Sequence, residues 1–152
     1  MKDRIFVIDG SSYLYRAYHA MPPLSTSSGQ PTGAVKGVTN MLMNLKKDSE
    51  GSSIIVVFDA KGKTFRSDIY SEYKANRPPM PDELRDQLVP VKSICRAIGF
   101  PLIEIEGVEA DDVIATIANM AKDANYKCVI SSLDKDLMQL VEDPHTTMMD
   151  TM

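Results

Sequence analysis

Short runs of Ile, Val and Phe alternate along this chain with longer stretches in which apolar residues recur every three or four positions. Runs of the first kind suit strands buried on both faces, and stretches of the second kind suit helices with one apolar stripe. Their alternation predicts an α/β fold, a mainly parallel sheet with helices on both faces. Strands are expected at Arg4 to Asp9, Ser53 to Asp59, Leu102 to Ile105 and Tyr126 to Ser131, with Thr146 to Asp150 as a candidate fifth.

Helices are expected from about Ser12 to His19, Ala34 to Lys47, Ala110 to Ala124 and, shorter, Lys135 to Glu142. The second carries Val35, Val38, Met41, Leu42 and Leu45 on one stripe. A further helix opens near Pro81, points Leu84, Leu88, Val91, Ile94, Cys95 and Ile98 at the core, and stops at Gly99, where a left-handed helix end favours glycine. Pro90 inside it is expected to kink it. Residues 20 to 33 hold three prolines and no periodicity, so they read as a loop.

The composition, 43% hydrophobic and 25% charged over 152 residues, excludes a disordered or fibrous chain and fits one domain, residues 1–152. Cys95 and Cys128 each sit in an apolar run and read as buried small hydrophobes, not a disulfide. The apolar start, Ile5 to Ile8, is too short for a signal peptide, and no stretch reaches the roughly 20 apolar residues of a membrane span. A cytoplasmic protein with no membrane partner is therefore expected. A net charge of -4 and a pI near 5.1 argue at first against a nucleic-acid partner.

The position of the acids changes that picture. Strand one ends at Asp9 and strand two at Asp59, the turn after strand three holds Glu109, Asp111 and Asp112, and the turn after strand four holds Asp134 and Asp136. Carboxyl ends of neighbouring parallel strands converge on one crevice, the usual ligand site of such sheets. Each acid also has a plain structural role as a helix cap or first-turn residue. Capping one helix needs one acid, however, and this cluster is costly unless a cation neutralises it. An all-oxygen set, with His19 and His145 both placed elsewhere, points to a hard cation, Mg²⁺ or Mn²⁺. Two such ions roughly 4 Å apart are an arrangement for phosphodiester hydrolysis.

Lys61, Lys63, Arg66, Lys74 and Arg77 face only two acids in the segment 61–77, with Phe65, Tyr70 and Tyr73 interleaved. Cations among aromatics hold phosphates and stack bases. Setting aside the seven clustered carboxylates leaves 17 basic to 14 acidic residues, so the acidic balance is largely the site's own and the remaining surface is mildly basic.

Five stretches carry a resemblance. They are Val7-Ile8-Asp9-Gly10-Ser11-Ser12-Tyr13-Leu14-Tyr15-Arg16-Ala17-Tyr18-His19-Ala20; Val57-Phe58-Asp59-Ala60-Lys61-Gly62-Lys63-Thr64-Phe65-Arg66; Tyr73-Lys74 through Arg77-Pro78-Pro79-Met80-Pro81; Gly107-Val108-Glu109-Ala110-Asp111-Asp112-Val113-Ile114; and Asp134-Lys135-Asp136-Leu137-Met138-Gln139-Leu140. Together they resemble the 5′ nuclease domain at the N-terminus of bacterial DNA polymerase I, relative of the flap endonucleases.

The resemblance implies a PIN-like, resolvase-like fold and a metal-dependent 5′-3′ exonuclease or flap endonuclease of replication and repair. It implies that Asp9, Asp59, Glu109, Asp111, Asp112, Asp134 and Asp136 hold or orient two Mg²⁺ or Mn²⁺ ions, and that Lys74 and Arg77 approach the scissile phosphate. Arg16, Lys61, Lys63, Arg66 and Tyr73 join those two as expected contacts to DNA, presented as a 5′ flap, a nick, a 5′-ended duplex or an RNA primer, to a monomeric protein. The family's Gly-Asp-x-Ser-Asp-Asn segment and helix-hairpin-helix element are not found before Met152, so a fragment with the second metal site incomplete and reduced activity is expected. Three other readings stand beside this one: a non-catalytic nucleic-acid-binding module of the same fold, a phospho-acceptor receiver-type domain, and a ribonuclease of the related small metal-nuclease domains.

Overall fold

A computed structural model describes residues 3–74 and 77–151. Five strands, β1 (Arg4–Asp9), β2 (Ser53–Val57), β3 (Leu102–Ile103), β4 (Lys127–Ser131) and β5 (Thr146–Met149), form one sheet in the order β3-β2-β1-β4-β5, with every pairing parallel. Helices α1 (Gly10–Ala20), α2 (Gly33–Asp48) and α4 (Asp82–Ile98) pack on one face against Phe6, Ile8, Ile54 and Val56. Helix α5 (Ala110–Asp123) and a 3₁₀ helix (Lys135–Leu140) cover Val7, Val57, Cys128 and Ile130 on the other. Strands covered on both sides have no polar face, which is why the period-two alternation of a half-exposed sheet is missing from their sequences.

Register sets the site. Strand β1 is central, with Asp9 beside Val57 of β2 and Ile8 beside Ser131 of β4. The chain leaves β1 for β2 and β3 on one flank and returns to β4 on the other. A crevice therefore opens at the carboxyl ends around β1.

Two close contacts hold the first helical layer. Gly37 of α2 faces Ala17 of α1, and a Cβ there would stand 2.7 Å from the Ala17 Cβ, so only glycine permits this crossing. Thr32, ahead of α2, makes no side-chain cap. Its place is taken from another helix: the buried Gln87 of α4 accepts a hydrogen bond from the Val35 N–H at 3.0 Å and donates to the Glu83 carbonyl at 3.0 Å.

The elements differ from expectation mainly at their ends. Helix α1 begins two residues early because Asp9 already caps it, and β2 ends at Val57, leaving Phe58 and Asp59 beyond its ladder. Strand β3 has only two residues, and the helix expected over Lys135 to Glu142 is a 3₁₀ turn ending at Leu140. Pro81 lies just before the first residue of α4, which continues through Pro90 to Gly99, left-handed at φ 96°. The segment 61–77 contains a short helix, α3 (Phe65–Ile69), and its residues 75 and 76 lie outside the described ones. Cys95 and Cys128 are free and buried, and burial pushes both thiols up to about 11. Among the described residues no helix is long and apolar enough to cross a membrane.

Leu84 is fully buried in the core shared by α1, α2 and α4, whereas Val89 on the same helix is exposed. Leu84→Ala is expected to cost about 2–5 kcal/mol in urea unfolding, and Val89→Ala less than about 0.5 kcal/mol. Equal losses would mean that α4 packs through a different face.

Candidate active site

Asp9 ends β1 and is 4% exposed, yet both oxygens of its carboxylate are hydrogen-bonded. Its Oδ1 accepts from the Ser12 N–H at 3.3 Å, capping α1, and its Oδ2 accepts from the Ser12 and Ser132 hydroxyls at 2.8 and 2.7 Å. Ser132 follows β4 and also accepts from the Asp134 N–H at 3.0 Å. The two serines thus fix Asp9 and tie it to the turn that carries the next acids. Asp134 in turn caps the 3₁₀ helix by accepting from the Asp136 N–H at 2.9 Å.

Asp59 lies two residues past β2, and its Oδ1 accepts from the Ala110 N–H at 2.8 Å, capping α5 from a different part of the chain. That leaves Glu109, the residue ahead of α5, free of capping duty. Its carboxylate, 7% exposed, instead receives Lys74 Nζ at 3.0 Å and the Tyr73 hydroxyl at 3.2 Å. Lys74 makes this contact from a left-handed backbone, φ 57°, unusual for a residue with a side chain.

Six of the seven expected acids, Asp9, Asp59, Glu109, Asp111, Asp134 and Asp136, line one crevice of about 560 Å³, and Tyr73, Lys74 and Arg77 line it with them. Asp111 feels the crowding most. Burial pushes its carboxyl up to about 7, and the charges of Asp134, Asp9 and Asp59 add to the rise.

The other expected residues lie elsewhere. Asp112 opens onto the adjoining depression and pairs with Arg66, whose guanidinium is raised further above its already high pKa, first by its hydrogen bond to Asp112. Arg16 reaches Asp150 at 3.8 Å, and Lys61 and Lys63 are exposed outside the crevice. Residues that sequence reasoning did not single out as site residues, Ser11, Ser12, Tyr15 and Leu133, also line it. The Ser-Ser pairs that follow the Asp9 turn and close β4 were the available signal, being small hydroxyl donors at strand ends.

Among the described residues, no three carboxylate, imidazole or thiol groups close on a single point as ligands of one ion would. The physical reason lies in the contacts above. Asp9, Asp59, Glu109 and Asp134 each spend lone pairs on protein donors, and the remaining like charges keep apart when nothing neutralises them.

The comparisons with known proteins agree with the parallel α/β fold. The chain matches the family described as 5′-3′ exonuclease, N-terminal resolvase-like domain, over residues 4–152. It is 58% identical over 97% of its length to a DNA polymerase I of Pseudomonas aeruginosa, and 47% identical over 91% of its length to a 5′-3′ exonuclease of Aquifex aeolicus. It spans 16% of the first relative and 48% of the second. A crystal structure of a bacteriophage T5 flap endonuclease in a pseudo-enzyme–product complex with DNA and metal ions superposes with a TM-score of 0.74 at 26% identity, over 97% of this chain and 54% of that one. On these likenesses the chain belongs to the 5′-3′ exonuclease N-terminal, resolvase-like domain family.

Proposed function

We propose that this chain is the acid-bearing part of a divalent-metal-dependent 5′-3′ exonuclease or flap endonuclease that hydrolyses phosphodiester bonds of DNA. The observation that carries the proposal is the crevice itself, where carboxylates from the ends of successive strands face Lys74 and Arg77. The donor set fits a hard cation: it is all oxygen, and Asp111 is crowded by three carboxylates whose repulsion a cation would relieve. Asp9, Asp59, Glu109, Asp111, Asp134 and Asp136 would hold Mg²⁺ or Mn²⁺. When bound, such ions supply an activated water and neutralise charge on phosphoryl oxygens.

The chain's own residues do the rest. Ser12 and Ser132 hold Asp9 in one rotamer, and the Ala110 amide does the same for Asp59, so both carboxylates are oriented before any ligand arrives. Lys74 and Arg77 place positive charge beside the carboxylates, where a backbone phosphate would otherwise be repelled, and would stabilise charge on its non-bridging oxygens. The Lys74 ammonium lies over the Tyr73 ring, 5.1 Å from its centroid, a cation–π contact that steadies the ammonium beside the crevice. The T5 relative's complex with DNA and metal ions supports both partners.

One observation favours a second reading, a nucleic-acid-binding module without turnover: Tyr73, Lys74 and Arg77 line the crevice and would hold DNA without any cleavage step. DNA binding that is the same with and without Mn²⁺, with no cleavage by the chain or by its Asp59→Asn variant, would support it. Family membership speaks against the receiver-type reading.

On a 5′-flap DNA with Mg²⁺, Arg77→Ala is expected to lower kcat by about 10²–10³-fold, as loss of a charge-stabilising donor does. A normal kcat in that variant would remove Arg77 from the proposed mechanism.

The Asp111 carboxyl generates a pH prediction. Its folded pKa, about 7, lies above the unfolded value of 3.8. Between those values the folded chain keeps a proton that the unfolded chain has lost, so without metal this group lowers stability as pH rises through the window. A divalent cation must displace that proton. Mn²⁺ is therefore expected to raise Tm more at about pH 8 than at about pH 5, and Asp111→Asn to abolish the difference. Equal gains at both pH values would contradict the assignment of Asp111 as a ligand.

A further inference from the structure

Asp111 and Asp112 are adjacent in the first turn of α5, but successive helical residues point about 100° apart. Asp111 lines both the crevice and the depression beside it, whereas Asp112 lines the depression alone. There Arg66 Nη2 donates to Asp112 Oδ1 at 2.9 Å while Nη1 donates to the second oxygen, a two-pronged pair. Arg66 Nη1 also lies 3.5 Å from Glu109 Oε2.

Helix α3, which carries Arg66, buries none of its residues, and Thr64 ahead of it makes no side-chain cap. Apolar packing therefore does not set its position. Polar contacts to the start of α5 do: the Arg66 pair, the Phe65 N–H donating to the Gly107 carbonyl at 2.8 Å, and farther along the segment the Tyr73 and Lys74 contacts to Glu109. A pair this exposed adds little stability, but the fork geometry of guanidinium on carboxylate fixes direction as well as distance.

We propose that Asp112 is a positioning residue and not a metal ligand: paired with Arg66, it docks the segment 61–77 against the start of α5 and so places Lys74 and Arg77 over the crevice. Its effect on cleavage rests on the nuclease reading above; the docking does not.

The test uses the whole chain and its Arg66→Gln, Asp112→Asn, Arg66→Lys, double Arg66→Gln/Asp112→Asn and Asp111→Asn variants. Mn²⁺ titration is expected to leave Asp112→Asn within about twofold of the parent, while Asp111→Asn weakens binding at least about tenfold. Tryptic cutting after Lys61, Lys63 and Lys74 is expected to speed up by the same factor in Arg66→Gln and Asp112→Asn, with no further gain in the double variant. Arg66→Lys, a point charge without the fork, is expected to behave as Arg66→Gln. On a 5′-flap DNA, the two single variants are expected to lose kcat equally, again without further loss in the double. Loss of Mn²⁺ affinity in Asp112→Asn as large as in Asp111→Asn, or unchanged tryptic rates in both single variants, would overturn the proposal. If the parent chain cleaves no flap, the nuclease reading fails, and the Mn²⁺ and trypsin results still decide the docking.

Discussion

Mutual repulsion among carboxylates is the constraint around which this molecule is arranged. A parallel sheet in this register brings the ends of β1, β2 and β4 side by side, and each end or the turn beyond it carries an acid. The fold tolerates the crowding by giving most of those acids a second occupation. Asp9 and Asp134 cap the elements that follow them, Asp59 caps α5, and Glu109 takes the cations of the basic segment. Asp111 keeps a raised pKa, set first by burial and then by the charges of Asp134, Asp9 and Asp59. Capping therefore uses the same strand-end oxygen atoms that the proposed function assigns to a cation.

The same bookkeeping explains why the basic segment lies where it does. With no buried residue in α3, the segment is attached by polar contacts, chiefly the cations Arg66 and Lys74 on Glu109 and Asp112. Function and local structure draw on one electrostatic source. A change that neutralises the acids would loosen the segment, and a change that stiffens the segment would alter how the acids are neutralised.

Much of this was legible in the sequence because strands buried on both faces and striped helices leave strong patterns. The four principal strands, the Gly99 helix end and the gathering of six acids all followed from periodicity and from which residue ended each strand. What escaped was whatever depended on contacts between distant elements. Gln87 capping α2 and Asp59 capping α5 join residues 52 and 51 positions apart, and no local pattern marks them. Asp112 was grouped with Asp111 because strand-end reasoning places turns and not the side of a helix on which a residue falls. Ser12 and Ser132 escaped for a different reason: small hydroxyls announce no chemistry until the carboxylate they orient is seen beside them.

The two thiols lie on opposite sides of the sheet, Cys95 within the layer of α1, α2 and α4 and Cys128 within the layer beneath α5. Each is buried and held protonated at neutral pH, so neither reacts until its own layer opens. Alkylation of Cys95 and of Cys128 therefore keeps separate time for the two halves of the core, and a ligand seated at the strand ends, which both layers share, would slow both clocks together.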